Sequence, residues 1–281
     1  MHLTECPRDA MQGLTRFIPT ADKIRYLNAL LTVGFDVLDF GSFVSPKAIP
    51  QLRDTADVLA GLNWAASATK LLAIVANVRG AEQAVSHEGI RYLGFPLSVS
   101  ETFQQRNTNK SITEALTDVA TMHRLCQQAD KELVVYLSMG FGNPYGDPYS
   151  PALMLDFTAR LADLDIKHIV PSDTIGTATP AAIETLFNTL SDAFPHYRFG
   201  AHLHAIPGEA PAKVRAALDG GVGRLEGAIG GLGGCPMAAD SLTGNLPTEA
   251  ILDTLDGMGI KTRIDPDQFA EAVQLSRELL Y

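Results

Sequence analysis

Residues 111–137 read SITEALTDVATMHRLCQQADKELVVYL: a helix start, a helix body and a strand in one run. Ser111 with Glu114 three residues on is a capping-box pattern, in which hydroxyl and carboxylate satisfy backbone N–H groups left free at a helix start. A helix is therefore expected over Ala115–Gln128, and the apolar run Leu133–Leu137 reads as a strand. The same unit recurs in both directions. Strand-like runs lie at His2–Glu5, Asp36–Phe40, Leu71–Ala76, Ile90–Phe95, Leu133–Leu137, His168–Pro171, Arg198–His202 and Arg224–Ala228, eight in all. Their spacing of about 30 residues is that of a βα unit. Thr179-Pro180 supplies a polar cap and a first-position Pro ahead of Ala181–Ala193. Gly220-Gly221 stops Ala210–Leu218. Ile24, Leu27, Leu30 and Leu31 repeat at helical spacing, so one face there should pack on a sheet.

Eight alternating units admit a closed barrel or an open doubly wound sheet. No G-x-G-x-x-G follows the first strand, so the fingerprint of a nucleotide-binding open sheet is missing. The expected fold is α/β, a (β/α)8 barrel, with functional residues at the C-terminal ends of its strands. The chain has 281 residues and no linker-like segment, which suggests one catalytic domain over 1–281. The barrel should occupy about 1–258 and a helical extension about 259–281, with its helix at Pro266–Leu280.

Composition narrows the function. A net charge of −10 opposes general nucleic-acid binding, which needs a basic surface. No apolar run approaches the roughly 20 residues of a membrane span. No basic n-region precedes an apolar stretch at the start, and three cysteines cannot build a disulfide framework. A cytoplasmic protein with reduced thiols is the expectation.

Polar groups gather where a barrel would use them. Arg8 and Asp9 follow the first strand, Asp39 and Ser42 the second, Ser98 and Glu101 the fourth, and Ser138 and Asn143 the fifth. Asp173 follows the sixth, His202 and His204 end the seventh, and Cys235 follows the eighth. In His202-Leu203-His204 the two imidazoles are i and i+2 at a strand end, so both point to one side and can converge on a metal. The alternative is two ordinary histidines at a loop mouth. Asp9 is the best acid to join them, and such a set suits Mg²⁺, Mn²⁺, Co²⁺ or Zn²⁺. Gly230-Gly231-Leu232-Gly233-Gly234-Cys235-Pro236 reads either as a mobile lid presenting a reactive thiol or as a flexible loop with an incidental cysteine. Asp173 either caps the segment after it or orients substrate. Cys126 and His123 lie within a helix, Cys126 as core packing.

A family resemblance rests on these residues together. Pro7-Arg8-Asp9 with Gln12, Ser42-Phe43-Val44-Ser45-Pro46-Lys47, Ser172-Asp173-Thr174-Ile175-Gly176, His202-Leu203-His204, Gly230 to Pro236 and Gly244-Asn245-Leu246 resemble the 3-hydroxy-3-methylglutaryl-CoA lyases. These belong to a wider group of metal-dependent TIM-barrel lyases and Claisen-type synthases. The resemblance spans nearly the whole chain. It implies a divalent cation, Mg²⁺ or Mn²⁺ before Zn²⁺ or Co²⁺, held by Asp9, His202, His204 and Asn245. It implies catalytic roles for Arg8 at the enolate, Cys235 and Asp173 in proton transfer or positioning, and Asp39, with Gln12 and Ser42 at the substrate. It further implies an acyl-CoA substrate, cleavage to acetyl-CoA and acetoacetate, and a homodimer. Lys47 and Lys110 are the candidates for the substrate's phosphates.

The chain departs from the family pattern in places. Glu5-Cys6-Pro7 is one residue shorter than the usual Glu-Val-Gly-Pro, Ala10 replaces Gly, and Gly13-Leu14 replaces Asn-Glu. Asp39 replaces Glu, Ala205 replaces Asp, and one extra residue separates Cys235 from Asn245. These changes open a second reading, a related lyase or aldolase on a different 3-hydroxy acid or 3-hydroxyacyl-CoA. A Claisen synthase usually lacks the Gly-Gly-Leu-Gly-Gly-Cys-Pro loop. A non-catalytic relative would not need Arg8, Asp9, His202, His204 and Cys235 together.

Overall fold

The computed structural model describes residues 1–206, 208–234 and 243–281. Eight strands close into a parallel barrel in chain order: β1 (His2–Glu5), β2 (Val37–Ser42), β3 (Lys70–Ile74), β4 (Ile90–Ser98), β5 (Glu132–Ser138), β6 (His168–Asp173), β7 (Gly200–Leu203) and β8 (Arg224–Gly227). β8 pairs back onto β1, with His2 opposite Arg224 and Glu5 opposite Gly227. This is the TIM-barrel fold expected from the repeat. Each strand-like run became a strand with ends shifted by at most three residues, the largest shift being in β4, which runs on to Ser98 rather than ending at Phe95.

The helices of the described residues are α1 (Pro7–Gln12), α2 (Thr20–Val33), α3 (Thr55–Ala60), α4 (Val78–Val85), α5 (Glu101–Thr108), α6 (Ile112–Gln128), α7 (Pro151–Asp163), α8 (Pro180–Ala193), α9 (Ala210–Asp219), α10 (Thr248–Gly257) and α11 (Pro266–Leu280). The Ser111–Glu114 box forms as read. It fixes the start of α6, whose face Ala115, Val119, Met122 and Cys126 is buried. Leu27, Leu30 and Leu31 of α2 are buried, with Ile24 partly so. The C-terminal α11 lies on α2, where Phe269 meets Phe35 edge-on at 6.4 Å and the Asp265 N–H donates to Val33 O at 2.8 Å. Among the described residues no helix is long and apolar enough to cross a membrane.

Two hydrophobic layers result. The larger lies between sheet and helices. The smaller fills the barrel's inside with Val37, Leu72, Val134, Tyr136 and Val170. Because side chains alternate along a strand, the inward residues one step further up are Asp39, Ile74, Ser172, His202 and Glu226, which line the cavity at the mouth. A register shift in β2 between Asp39 and Gly41 alters this alternation. It brings Ser42, three residues on from Asp39, to the same cavity.

Glu5 faces the other way. Its carboxylate is fully buried and accepts from the Ile229 N–H at 2.8 Å and the Thr248 hydroxyl at 2.5 Å, tying β1 to the segment after β8 and to α10. Burial pushes this carboxyl from its ordinary 4.5 up to about 8, against the pull of those two hydrogen bonds. A carboxyl held neutral by the fold adds stability below its unfolded pKa and loses that contribution as pH rises through its folded one. The urea midpoint should therefore fall between about pH 5 and about pH 8 more steeply in the wild type than in Glu5→Gln, whose amide stays neutral. Parallel midpoint profiles would remove Glu5 from the pH dependence.

Candidate active site

The mouth of the barrel encloses a cavity of about 470 Å³. Its floor is polar, with Arg8, Asp9, Asp39, His202, His204 and Glu226. Its walls are largely apolar, among them Val44, Ile49, Ile74 and Phe103.

The short α1 begins directly at the end of β1, started by Pro7, so Arg8, Asp9 and Gln12 sit over the barrel axis. Arg8 is the hub. Its Nε donates to Asp39 Oδ2 at 3.0 Å and its Nη2 to the same oxygen at 2.7 Å. Its Nη1 donates to Asp9 Oδ1 at 3.1 Å and to Gln12 Oε1 at 2.8 Å. Burial opposes the charge on Arg8, but Asp39 and Asp9 raise its pKa. Burial likewise pushes Asp9 up, yet Arg8, His202 and His204 outweigh it and hold that carboxyl at about 2. Asp39 has the same guanidinium, but there burial is joined by the neighbouring anions Asp9 and Glu226, and its pKa rises to about 6.

His202 and His204 stand at the end of β7. His202 lies opposite Glu226 of β8, and its Nδ1 is 3.1 Å from Glu226 Oε2. That contact fixes the ring and leaves Nε2 toward the cavity, an arrangement common behind metal-binding histidines. Glu226 is itself held by Arg224, whose Nε donates to Oε1 at 3.0 Å, and by the Tyr136 hydroxyl at 3.3 Å. Burial, then the neighbouring His202, lower the pKa of His204 to about 4, so its imidazole is neutral. Neither His204 ring nitrogen makes a hydrogen bond of good geometry, although the ring feels the Thr174 backbone.

Asn245 arrives by a route the sequence does not announce. The chain at Gly244–Leu246 pairs antiparallel with the end of β7, with Ala205 N–H donating to Gly244 O at 3.0 Å and Leu246 N–H to Leu203 O at 3.1 Å. Asn245 Nδ2 then donates to Asp9 Oδ2 at 2.5 Å and to Leu232 O at 2.8 Å, while its buried Oδ1 has no partner.

These donors fit a divalent cation. One ligand atom each from Asp9, His202 and His204 lie within 4.8 Å of one another. A neutral, unpartnered imidazole and an unpartnered amide oxygen are buried acceptors that need a donor or a cation.

Ser42 and Gln12 line the cavity, Gln12 also bonding Asp9 Oδ1. Asp173 does not. It is 1% exposed, accepts from the N–H groups of Thr177 and Ala178, and pairs with buried Lys213 at 3.2 Å. Burial raises its pKa against that lysine. Of its two sequence readings, the contacts match capping, with Lys213 joining the turn to β7 through Gly176 O and His204 O. Glu101 serves α6, accepting from the Ile112 N–H, and Asn143 accepts from Tyr145 and Asp147 N–H groups in its own loop. Lys110 pairs with Asp118, and neither it nor exposed Lys47 lines the cavity. Cys235 lies outside the described residues. The glycines before it are described. Gly230, Gly231, Gly233 and Gly234 all have positive φ, and a Cβ at Gly233 would meet Asp9 O at 2.7 Å. The Gly234 N–H reaches Asp9 Oδ2 at 3.3 Å, so the loop leaves from the site itself.

Sequence reasoning missed Glu226, Tyr136, Ser172, Thr174 and Arg106 in this cavity. A signal existed for Glu226: Arg224 and Glu226 sit i, i+2 in a strand that closes the barrel, where two charges on the inner face need a reason.

Comparison with known proteins agrees with this arrangement. The HMGL-like family model matches residues 3–275. A hydroxymethylglutaryl-CoA lyase of Bacillus subtilis is 36% identical over 272 residues, 97% of this chain and 90% of its own. The 3-hydroxy-3-isohexenylglutaryl-CoA/hydroxy-methylglutaryl-CoA lyase of Pseudomonas aeruginosa is 32% identical, over 95% of this chain and 88% of its own. A solved HMG-CoA lyase from Acinetobacter baumannii, in complex with coenzyme A and 3-methylmalate, superposes with a TM-score of 0.92 at 29% identity, covering 100% of this chain and 91% of its own.

Arg8→Gln would leave the buried Asp39 carboxylate beside Asp9 with no cation. It should cost about 3–5 kcal/mol of stability in urea unfolding. Adding Asp39→Asn should recover much of that loss, whereas strictly additive losses would show that the pair is not coupled.

Proposed function

This chain belongs to the HMGL-like family, and from that premise we propose that it is a divalent-metal-dependent lyase converting 3-hydroxy-3-methylglutaryl-CoA to acetyl-CoA and acetoacetate. The enzyme class is that of the carbon–carbon lyases. The observation that carries the finer reading is the buried Asp9–His202–His204 donor set, with unpartnered acceptors on His204 and Asn245, directly beside Arg8.

Breaking a C–C bond next to a thioester carbonyl needs a proton removed from the tertiary hydroxyl, a place for enolate charge, and a proton returned to carbon. Asp9, His202, His204 and Asn245 would hold the cation, which when bound lowers the pKa of a coordinated hydroxyl and fixes its direction. Arg8 presents a permanent charge where the enolate oxygen forms. Asp39 and Gln12 clamp its fork beforehand, so the charge costs no reorganisation when it is needed. Asp39, at about 6, is a carboxyl able to exchange a proton near neutral pH. Cys235 delivers the final proton, on a glycine loop that excludes water from the enolate. Asp173 acts by positioning, through Lys213 and the turn after β6.

A second reading keeps the chemistry and changes the C3 substituent. Val44, Ala48, Ile49, Ile74 and Phe103 supply apolar wall against which a longer C3 chain would pack.

Purified enzyme with Mg²⁺ or Mn²⁺ should release acetyl-CoA from the methylglutaryl thioester. Turnover only with longer 3-alkyl analogues would establish the second reading, and turnover with none would sink both. Cys235→Ala should lower turnover by about 10²-fold or more while metal affinity, read by chelator competition, stays unchanged. Unaltered turnover would take Cys235 out of the reaction.

A further inference from the structure

Beneath the Asp9–His202–His204 set lies a second group of donors that shares His202. Cys6 Sγ, a ring nitrogen of His202 and a carboxylate oxygen of Glu226 lie within 4.8 Å of one another. The barrel fixes this spacing. Cys6 immediately follows β1, whose Glu5 is opposite Gly227 of β8, and Glu226 is opposite His202 of β7. Cys6 and Glu226 are each 1% exposed. Toward Glu226 the His202 nitrogen is Nδ1, at 3.1 Å from Oε2. Arg224 and Tyr136 hold the other oxygen, Oε1, so Oε2 is the one free to turn to a cation. His202 and Glu226 both line the cavity, which gives an ion a way in.

The two donor sets differ in chemistry. Asp9, the two imidazoles and the Asn245 amide oxygen offer oxygen and nitrogen. Cys6, Glu226 and His202 Nδ1 offer sulfur, oxygen and nitrogen, which suits Zn²⁺ in a tetrahedron with one open position and disfavours Mg²⁺. We propose that Cys6, His202 and Glu226 form a second, inhibitory site for a thiophilic divalent cation such as zinc.

Inhibition follows from the imidazole. A neutral ring has one lone pair and one N–H. With the proton on Nδ1, facing Glu226, the lone pair on Nε2 serves the upper set. A cation taken by Nδ1 sends that proton to Nε2, and His202 then has nothing to offer Asp9 and His204's ion. The Cys6 thiol proton leaves to solvent, the thiolate–metal bond forms, and nothing is oxidised or reduced. Binding at the lower set therefore excludes His202 from the upper one. The inhibitory consequence rests on the proposed use of the upper set; the binding itself does not.

Co²⁺ is the probe, since a thiolate ligand gives it a charge-transfer band in the near ultraviolet. The full chain carrying Cys235→Ala removes the thiol that follows the glycine run, so that it cannot supply the band. Titrated with Co²⁺, it should develop the band, Zn²⁺ should abolish it and Mg²⁺ should not. Cys6→Ser in the same background should lose the band, with Cys6→Val as the alternative if the serine variant does not fold. A band that survives both replacements, or no band when chelator competition shows Co²⁺ bound, overturns the proposal. In Mg²⁺-supported turnover, the single Cys6→Ser variant should need at least about tenfold more Zn²⁺ for half inhibition. Equal inhibition of wild type and variant would place the zinc elsewhere. If no substrate turns over, the lyase reading fails while the band still decides the site.

Discussion

One guanidinium governs the mouth of this barrel. Arg8 lies between two buried carboxylates, Asp39 on the wall and Asp9 above the axis, and touches both. Removing three charges from water costs several kcal/mol each unless they satisfy one another in good geometry. Here the shared cation lets both acids stay buried, but with unequal results. Asp9, also facing two histidines, is held at about 2, whereas Asp39 drifts to about 6. The same contacts that make the cluster tolerable thus separate its two carboxyls into a permanent anion and a titratable one. They also join α1 to β2, so the first helix is registered on the barrel by electrostatics as well as by Pro7.

The barrel makes such a cluster deliverable. Parallel strands buried on both faces read as near-continuous apolar runs, and only their alternation tells inside from outside. Below, the inward positions are Val37, Leu72, Val134 and Val170. Above, the same faces carry Asp39, Ser172, His202 and Glu226. This apolar layer is broken by buried Arg224, the inward residue below Glu226 on β8, whose charge Glu226 meets from above. Glu226 is the member that reaches furthest. It neutralises Arg224, orients His202 and meets Tyr136, and burial opposes its charge less than Arg224 and His202 favour it, so its pKa falls.

Local signals made the fold legible. The eight strand-like runs, the Ser111–Glu114 box, the Thr179 cap and the extension helix Pro266–Leu280 all depend on neighbours within a few residues, and each formed, the strands with ends shifted by up to three residues. The site was legible where it obeys strand alternation, as with His202 and His204. Where alternation breaks or where distant backbone pairs, the local pattern places nothing and the residues rested on the family resemblance. Ser42 needs the β2 register shift to share a cavity with Asp39. Asn245 needs the antiparallel bridge to His204. Asp173 kept two readings, as a cap or as a group orienting substrate, because its partner Lys213 lies forty residues away on α9. Conversely Glu226 was hidden by a strand short enough to pass as ordinary barrel wall.

Charge ties these observations to substrate chemistry. The chain carries a net −10, a poor match for an anionic acyl-CoA. At the cavity the imbalance is far smaller. At its floor, Asp9, Asp39 and Glu226 exceed Arg8 and the Arg224 that pairs with Glu226 by a single negative charge when both imidazoles are neutral, as metal ligation requires, and Arg106 adds a positive charge higher in the lining. A divalent ion at the proposed upper set would reverse the sign of that floor and add to the positive charge of Arg106. Field lines in a cleft with apolar walls are focused rather than screened, so a local excess of one charge attracts a carboxylate more than the distant acidic surface repels it. In the proposed reaction the ion's charge would therefore do two jobs, activating the hydroxyl and setting the sign of the cavity floor. A protein without it would be left with a net negative floor facing a negative substrate.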